Sequence, residues 1–353
     1  MDDYYEDRPP ETSFDEAIPN KQILMPNFRC SRSLGYMEVY DRGELWLCCP
    51  YSTTKPLGNV LTNDAVALWD GEHARAVRAG IAKGDFSLCD RCSYQPAPCG
   101  PIQLVDSNEV PAAPPRIYKL FVAFDRTCSM RCASCRNEIF KYDDGNDNHV
   151  RRLYDWLINS GILAHVDCLR MLSSGDPMTS ELCQETLRKI PWSKYPLLKL
   201  HFQTNGIFFT PERYMTMTDE TRSRLESVSV SIDAAERGTY AELRSSGNLN
   251  TWDVLQENLR FVSALKQSGA LQLSCHVMVV QKANFHQMPT FVHQALALDA
   301  DAEFMQFNNW GTYTDEEFRQ RAVHLPGHPE HEEYLRIRNF PIFSDPRVIK
   351  VWP

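Results

Sequence analysis

Residues 117–135 read IYKLFVAFDRTCSMRCASC and contain the two features that decide the fold. The apolar run at 117–124 predicts a buried strand. Three cysteines, Cys128, Cys132 and Cys135, follow it directly. Three thiolates can hold three irons of a [4Fe–4S] cluster and leave the fourth iron open to another ligand. The stretch therefore predicts a strand that ends in a cluster-binding loop.

A structural zinc site, or three unrelated cysteines, is the simpler alternative for the triplet. Zinc sites usually combine two CxxC pairs or a Cys pair with a His pair. No His or Cys lies within about ten residues after Cys135 to complete such a site. The spacing therefore favours the cluster.

Composition argues against two classes of partner. The chain has 353 residues, of which 37 are basic and 46 acidic, giving a net charge of −9 and a pI near 5.6. This charge has the wrong sign for a phosphate backbone and no Lys/Arg stripe occurs, so we expect no nucleic-acid partner. No run of about eighteen apolar residues is present, so we expect no membrane partner.

Cysteine usage predicts metal binding in a reducing compartment. The chain has 12 cysteines. Its first residues, MDDYYEDRPPETSFDE, are acidic and lack the apolar segment of a secretory signal. We therefore expect a cytoplasmic protein whose thiols bind metal rather than form disulfides.

Changes in composition and residue pattern divide the chain into five parts. A Pro-rich break, VDSNEVPAAPPR, separates a Cys-rich region from a region of alternating strands and helices. The predicted divisions are a flexible acidic tail at 1–22, a Cys-rich auxiliary domain at 23–104, the linker at 105–116, a core at 117–310 and an irregular C-terminal extension at 311–353.

The core predicts an α/β architecture with a parallel sheet. Strands are predicted at 117–124, 168–172, 198–203, 228–232, 271–280 and 302–307. Helices are predicted between them at 149–159, 180–190, 211–226, 250–266 and 285–298. This alternation implies right-handed parallel crossovers. Periodicity alone leaves a full barrel, an open sheet and a partial barrel as alternatives.

Polar motifs follow successive predicted strands. They are Ser174-Gly175-Asp176-Pro177, Thr204-Asn205-Gly206 and Ser231-Ile232-Asp233, with Arg244 downstream. Each alone is an ordinary turn or a surface charge. Ligands of parallel sheets gather at the carboxyl ends of strands, so the order of these motifs behind the triplet favours one shared site.

With these motifs in this order, the chain resembles the radical S-adenosylmethionine (SAM) superfamily. The resemblance implies a partial (β/α)6 barrel of the TIM type. It also implies a cluster on Cys128, Cys132 and Cys135 whose free iron binds SAM, and cleavage of SAM to a 5′-deoxyadenosyl radical. The implied SAM contacts are Ser174, Gly175, Asp176, Pro177, Thr204, Asn205, Ser231 and Arg244. Asp176 would accept from the SAM amino group and Arg244 would clamp its carboxylate.

Four positions depart from the family pattern. Ser174 and Asp176 replace the first Gly and the Glu of the family's GGEP motif, and Ala234 replaces the Gly of its SIDG segment. Ser134 replaces an aromatic residue that lies near the adenine in relatives. Adenine contact must therefore be made differently here.

The Cys-rich region resembles the twitch/SPASM auxiliary domains of the same superfamily. The spacing of Cys30, Gly43, Cys48 and the Cys89-Asp90-Arg91-Cys92 segment carries the resemblance. It implies one auxiliary [4Fe–4S] cluster on Cys30, Cys48, Cys89 and Cys92. A zinc ion on the same four thiolates remains the alternative. In most relatives this domain follows the barrel, whereas here it precedes the core.

The resemblance leaves several reactions open. Auxiliary-cluster members that tailor sugars and cyclitols in antibiotic pathways are the most similar, which predicts a carbohydrate-type substrate and hydrogen abstraction from a carbinol carbon. Epimerisation, with a cysteine returning a hydrogen atom, is the favoured outcome. Dehydrogenation to a ketone, peptide modification, and an inactive or regulatory protein are the alternatives. A reductant such as flavodoxin or ferredoxin is the expected partner.

Candidate catalytic and substrate residues complete the prediction. Cys275, Cys49 and Cys99 are candidate hydrogen-atom donors, and the surplus of cysteines beyond seven cluster ligands favours epimerisation. The candidate bases or orienting groups are Glu303, Asp233 and His276. The candidate substrate contacts are Gln306, Asn308, Asn309 and Trp310.

Overall fold

The computed structural model describes residues 35–48, 55–85, 87, 116–136, 139, 148–171, 174–244, 248–309 and 311–351. They form a mixed α/β structure around one mostly parallel sheet. Its strands are β1 Tyr36–Tyr40, β2 Glu44–Trp46, β3 Gly58–Asn59, β4 Ile117–Ala123, β5 Val166–Met171, β6 Lys199–Thr204, β7 Leu225–Ser231, β8 Leu273–Val280, β9 Asp301–Gln306 and β10 Val348–Val351.

The helices connect the strands and cover the sheet. They are α1 Ala65–Trp69, α2 Glu72–Ala82, α3 Asn148–Asn159, α4 Glu181–Lys189, α5 Pro211–Met215, α6 Asp219–Arg224, α7 Arg237–Leu243, α8 Thr251–Gln267, α9 Met288–Ala297, α10 Asp315–Arg321 and α11 His331–Arg338. Short 3-10 turns lie at Ile162–His165, Trp192–Lys194, Phe285–Gln287 and Pro341–Ser344.

The six predicted core strands are confirmed as β4 to β9. They pair with one another in chain order, and every pairing is parallel. One further parallel strand lies on each side, because β1 pairs with β4 and β10 pairs with β9. Across the described ranges, no hydrogen bonds join the outermost strands β10 and β3 to close the sheet. Whether the sheet curves into a partial (β/α)6 barrel therefore remains a prediction.

The prediction of an irregular C-terminal extension is wrong. Residues 311–351 contain α10, α11 and β10, and β10 extends the core sheet. Thr314 and Glu317 form a capping box at the start of α10. That sequence signal, Thr-x-x-Glu, was available, but the surrounding Pro and His residues conceal it.

The single helix predicted at 211–226 is also wrong. Two short helices, α5 and α6, occupy this segment, and β7 begins at Leu225. Thr210 caps α5, and Thr218 caps α6 by accepting from the Thr221 amide. A second Thr cap starts a new helix because its side chain accepts from a backbone N–H in the first turn of α6, which has no partner within that helix.

The N-terminal strands share the sheet of the core. Tyr36 lies opposite Lys119, and Val39 lies opposite Val122. Met37 and Val39 belong to the same buried cluster as the residues of β4 to β9. The linker at 105–115 and much of the Cys-rich region lie outside the described residues, so the domain boundaries remain predictions.

Alternation along the strands gives the sheet two unlike faces. The helix face includes Leu200, Phe202, Ala302 and Phe304, each fully buried. We call the other side the polar face, defined by Arg170, His201, Gln203, Ser229, Cys275 and Glu303, which the strand register places on one side. In the part of the chain that is described, no helix is long and apolar enough to cross a membrane.

Candidate metal and cofactor site

The cysteine triplet lies in the loop after β4, at the carboxyl edge of the sheet. Cys128 and Cys132 are buried, whereas Cys135 is exposed. The Cys135 amide donates to the Cys132 carbonyl at 3.0 Å and closes a turn between the last two cysteines. The Ala133 amide donates to the Leu243 carbonyl at 3.0 Å, which fastens the loop to the end of α7.

Three thiols in one loop are fewer ligands than a closed structural zinc site uses. Among the described residues, no group of three His, Cys, Asp or Glu side chains is arranged around one metal centre. A structural zinc ion needs its ligands to converge on one centre, whereas cysteines bound to a cluster can each bind a different iron. The triplet has the residue type and number of ligands that a [4Fe–4S] cluster with one open iron requires.

Burial favours the protonated form of the Cys128 and Cys132 thiols, because it raises the pKa of each. It raises the pKa of Cys132 to about 12 and also raises the pKa of Cys128, on which Asp176 acts in the same direction. Ligation requires thiolates, so metal binding at this loop must displace these protons.

Arg136 supplies positive charge beside the triplet. Its Nη1 donates to the Arg126 carbonyl at 2.8 Å, and its Nη2 donates to the Ser174 carbonyl. Burial opposes its charge, but the sulfurs of Cys135 and Cys128, once ionised, leave its pKa raised. The sequence motifs do not include Arg136, and its place directly after Cys135 is the one signal for it.

Arg244 is a second partly buried cation at the site. Its Nη1 donates to Asp233 Oδ2 at 3.0 Å, and its side chain is 13% exposed. Burial opposes its charge, but Cys132 and then Asp233 raise its pKa. Its Nε is buried and has no hydrogen-bond partner among the described residues. An unsatisfied guanidinium N–H beside Cys132 fits a carboxylate ligand, such as that of SAM, next to a cluster.

Gly175 lets the loop after β5 lie directly against the cysteine loop. A Cβ at this position would be 2.1 Å from the Thr127 carbonyl oxygen and 2.5 Å from the Arg126 carbonyl carbon. The Asp176 amide donates to the Thr127 carbonyl at 2.7 Å, and the Ser174 hydroxyl donates to the Ala123 carbonyl at 2.7 Å. Backbone at this distance excludes any side chain, which is the reason for glycine here.

Asp176 is occupied by donors of the protein itself. Its Oδ2 accepts from Thr204 Oγ1 at 2.8 Å and from the Asn205 amide at 2.6 Å. Its Oδ1 accepts from the amides of Met178 and Thr179 at 2.9 and 3.2 Å. Burial raises its pKa against these donors. Asp176 therefore joins the loops after β5 and β6, and its role toward a SAM amino group remains a prediction.

Asn205 connects this network to the first cysteine. Its Nδ2 lies 3.7 Å from Cys128 Sγ and 3.4 Å from Ser129 Oγ. A donor amide beside a ligating sulfur is a group that tunes a cluster, because hydrogen bonds to sulfur shift its potential. Of the predicted SAM contacts, Asn205 lies beside Cys128 and Arg244 lies beside Cys132. Pro177 directly follows Asp176 in the loop after β5.

Asp233 positions Arg244 instead of lying open as a base. Its Oδ1 accepts from the Val279 amide at 2.7 Å, while its Oδ2 accepts from Arg244. Its backbone φ of 61° lies in the left-handed region, which Asp tolerates better than most residues. Ser231 is half-buried at the end of β7, two residues before it.

Cys275 and Glu303 come together on the polar face. Cys275 Sγ lies 3.7 Å from Glu303 Oε2, across the neighbouring strands β8 and β9. His276 points to the opposite, helix face, where it is 2% exposed and packs edge-on against Phe291. Burial lowers the pKa of His276 to about 4. The structure therefore places His276 on the face of the sheet opposite Cys275 and Glu303.

The predicted substrate contacts at the end of β9 remain a prediction. Asn309 satisfies its own loop, since its Nδ2 donates to the Tyr313 carbonyl at 2.8 Å and its Oδ1 accepts from the Gly311 amide at 3.1 Å. By strand alternation, Gln306 shares the face of Phe304 rather than that of Glu303. Asn308 is half-buried after β9, and Trp310 lies outside the described residues.

Of the four predicted ligands of the auxiliary cluster, only Cys48 is among the described residues. Cys48 is half-buried just after β2. The other three proposed ligands, Cys30, Cys89 and Cys92, and the candidate donors Cys49 and Cys99, lie outside the described residues. Their grouping therefore remains a prediction from spacing.

Two further polar residues were not singled out by the motifs. Asp125 is buried and accepts from the Thr127 amide at 2.9 Å, from the Tyr154 hydroxyl at 2.9 Å and from the Ser180 hydroxyl. Its signal was an acidic residue at the end of an apolar strand. Arg170 donates to Gln203 Oε1 at 2.7 Å on the polar face. Its signal was a charge within a strand.

Comparison with family models supports an iron–sulfur domain in the N-terminal part. Residues 30–93 match SPASM, an iron–sulfur cluster-binding domain. The match includes Cys30, Cys48, Cys89 and Cys92. A search of curated proteins found no match.

Solved structures resemble the chain only distantly. A structure of TYW1 with a lysine–pyruvate adduct bound matches 62% of this chain and 70% of its own, at 14% identity and a TM-score of 0.39. Methylornithine synthase (PylB) matches 55% of this chain and 54% of its own, at 14% identity and a TM-score of 0.38. Archaeal TYW1 gives 57% and 66%, at 15% identity and a TM-score of 0.32. Similarity at this level carries no argument about the reaction.

Proposed function

We propose that the chain is a radical SAM enzyme with an auxiliary iron–sulfur cluster. The observation that carries the proposal is the Cys128–Cys132–Cys135 loop at the carboxyl edge of a parallel sheet, flanked by two partly buried arginines, Arg136 and Arg244. The SPASM match at residues 30–93 supports the second cluster.

The residues have distinct tasks in this proposal. Cys128, Cys132 and Cys135 hold the core cluster, Arg136 and Arg244 balance its charge, and Arg244 Nε is available to the SAM carboxylate. A cluster and SAM held by these residues would supply a carbon radical able to remove a hydrogen atom from the substrate.

We further propose that the reaction is epimerisation at a carbinol carbon of a carbohydrate or cyclitol. Gln203, His201 and Ser229 line the polar face and offer the amide, imidazole and hydroxyl groups that bind polyhydroxylated molecules. Cys275 lies on the same face as a protonated thiol, the form that can return a hydrogen atom. Dehydrogenation needs no such thiol and is the alternative outcome of the test below.

The first experiment is anaerobic reconstitution followed by reduction with dithionite and SAM. Two cubane clusters require about eight irons per chain, and 5′-deoxyadenosine should form. Changing the three core cysteines to Ala should remove about half of the iron and abolish 5′-deoxyadenosine. Cys168→Ala, a half-buried cysteine outside the triplet, is the matched control. Persistent SAM cleavage in the triple variant would defeat the proposal.

The second experiment decides the outcome of the reaction. A panel of cyclitols and aminosugars is incubated with the enzyme in heavy water. Epimerisation installs one solvent deuterium at carbon, and Cys275→Ala stalls or diverts to an oxidised product. A ketone without deuterium, and full activity of Cys275→Ala, would establish dehydrogenation instead.

A further inference from the structure

Cys275 and Glu303 contact each other across two neighbouring strands of the sheet. Cys275 Sγ has two acceptors nearby, Glu303 Oε2 at 3.7 Å and the carbonyl of His276 at 3.8 Å. Cys275 lies opposite Asp301, and Val277 lies opposite Glu303, so the thiol and the carboxylate are diagonal neighbours on adjacent parallel strands. Both strands lie within the sheet, which fixes the two side chains relative to each other.

The two carboxylates of β9 differ in their charge partners. Asp301 pairs with Arg347, at 3.1 Å between Oδ1 and Nε. Within the described ranges, no Lys, Arg or His forms an ion pair with Glu303. Glu303, the carboxylate in contact with the thiol, therefore differs from Asp301 in having no ion pair among the described residues.

The surroundings keep the sulfur as a thiol. Burial raises the pKa of Cys275 well above its usual value, and Glu303 and Asp301 act in the same direction. Arg170, from β5, acts in the opposite direction. Ser229 lies opposite Cys275 on β7 and carries no charge. Only an S–H group can give a hydrogen atom, so these groups preserve the competent form of a donor.

We propose that Glu303 is a positioning residue for Cys275, holding its S–H on the polar face and passing a proton to the sulfur after each hydrogen transfer. This inference rests on the proposed epimerisation. It replaces the role of Glu303 as a base toward the substrate with a role that acts through the thiol.

The step balances with one electron and one proton. The substrate radical takes the hydrogen atom, so the S–H bond breaks, a C–H bond forms and the sulfur becomes a thiyl radical. A one-electron reductant of the iron–sulfur class reduces this radical to the thiolate. The half-exposed Glu303 then relays one proton from water to the sulfur and restores the S–H bond.

The test is timed alkylation of the reconstituted full-length protein with iodoacetamide, and it needs no substrate. Mass spectrometry of the Cys275 peptide gives the rate at this site alone. Glu303→Gln keeps the size of the side chain but removes its charge, so we expect about tenfold faster alkylation at pH 8.5, the change for one pKa unit. Glu226→Gln, the same change on β7 beside Lys199, should alkylate at the wild-type rate.

Equal rates in wild type and Glu303→Gln would overturn the inference. A wild-type profile is a second measure that needs no variant: the Cys275 rate should still rise with pH beyond the range of an ordinary thiol, and an ordinary profile would also overturn it. If 5′-deoxyadenosine forms normally but wild type and Glu303→Gln alkylate at the same rate, the role of Glu303 is overturned and the proposed enzyme is not. The expected rate difference without 5′-deoxyadenosine would fail the proposed enzyme and leave the Cys275–Glu303 pair intact.

Discussion

The two faces of the sheet follow different rules within the same strands. On β9, Phe304 is fully buried between Phe291 and Phe343, with ring centroids 5.6 and 5.5 Å away. Its neighbour Glu303 is half-exposed and contacts a thiol. On β8, Cys275 and His276 divide in the same way. One peptide unit separates a residue that stabilises the fold from a residue placed for chemistry.

The difference shows where stability and reactivity can vary independently. The helix face buries apolar surface against α9 and its neighbours, and each large side chain there contributes a few kcal/mol. The polar face buries less and retains groups that can ionise or donate. Substitutions on adjacent residues should therefore separate folding from activity.

The largest effect is expected for Phe304→Ala. Loss of a fully buried aromatic side chain costs about 3–5 kcal/mol, because it leaves a cavity as well as losing burial. Urea unfolding measures it. Glu303→Gln, one residue away, should change the free energy of unfolding by less than about 1 kcal/mol. Similar losses in the two variants would erase the distinction between the faces.

Gly175→Ala tests the carboxyl edge, where the two faces end. The new Cβ cannot coexist with the Thr127 carbonyl, so we expect about 3 kcal/mol of destabilisation and reduced iron at the core site. Gly238→Ala is the control, because nothing lies within 4 Å of its Cβ position and alanine favours the helix. Unchanged iron content and stability in Gly175→Ala would show that the loops can separate.

His276 predicts a pH effect that belongs to the helix face. Its pKa is about 4 in the folded protein, below the unfolded value near 6.5, so the unfolded chain binds a proton first as pH falls. Stability should therefore decline from pH 6.5 toward 4. Between pH 7 and 5, wild type should lose about 2 kcal/mol more than His276→Leu. If the free energy of unfolding falls equally with pH in the two proteins, the prediction is contradicted, and the ring of His276 can be protonated in the folded state through contact with water.

The smallest effect is expected on the solvent side of α4, which belongs to neither face. Lys189 pairs with Glu185 one turn away, and both side chains are substantially exposed. Lys189→Ala should cost at most about 0.5 kcal/mol, an amount that salt screens. Chemical unfolding at low and high salt measures it, and a larger loss would contradict the assumption that surface pairs contribute little.

The sequence predicted the parallel core well because its strands carry apolar runs and its crossovers carry helical periods. Strands β4 to β9 lie within a few residues of their predicted bounds. The two added strands were harder. β10 is four residues long and β1 pairs across the Pro-rich break, so neither has a local pattern that names its partner.

The candidate site could be predicted only in part. Cysteine spacing locates the loop, and turn motifs locate Asp176 and Asn205. The motifs do not show which hydrogen bonds these side chains make. The Asp176 carboxylate accepts from donors at the end of the next strand, and the Asn309 amide bonds within its own loop. Alternation from strand bounds would have placed His276 on the helix face, since Cys275 and His276 are consecutive.

The pairing of β1 with β4 has a consequence for the order of synthesis. Tyr36 lies opposite Lys119, about 80 residues later in the chain. At ~5–20 residues per second, β1 leaves the ribosome on the order of ten seconds before its partner exists. During that interval its backbone has no neighbour on that side, and Met37 and Val39 have no core to enter. The N-terminal strand thus completes its docking late, as a long-range closure on a sheet that forms after it.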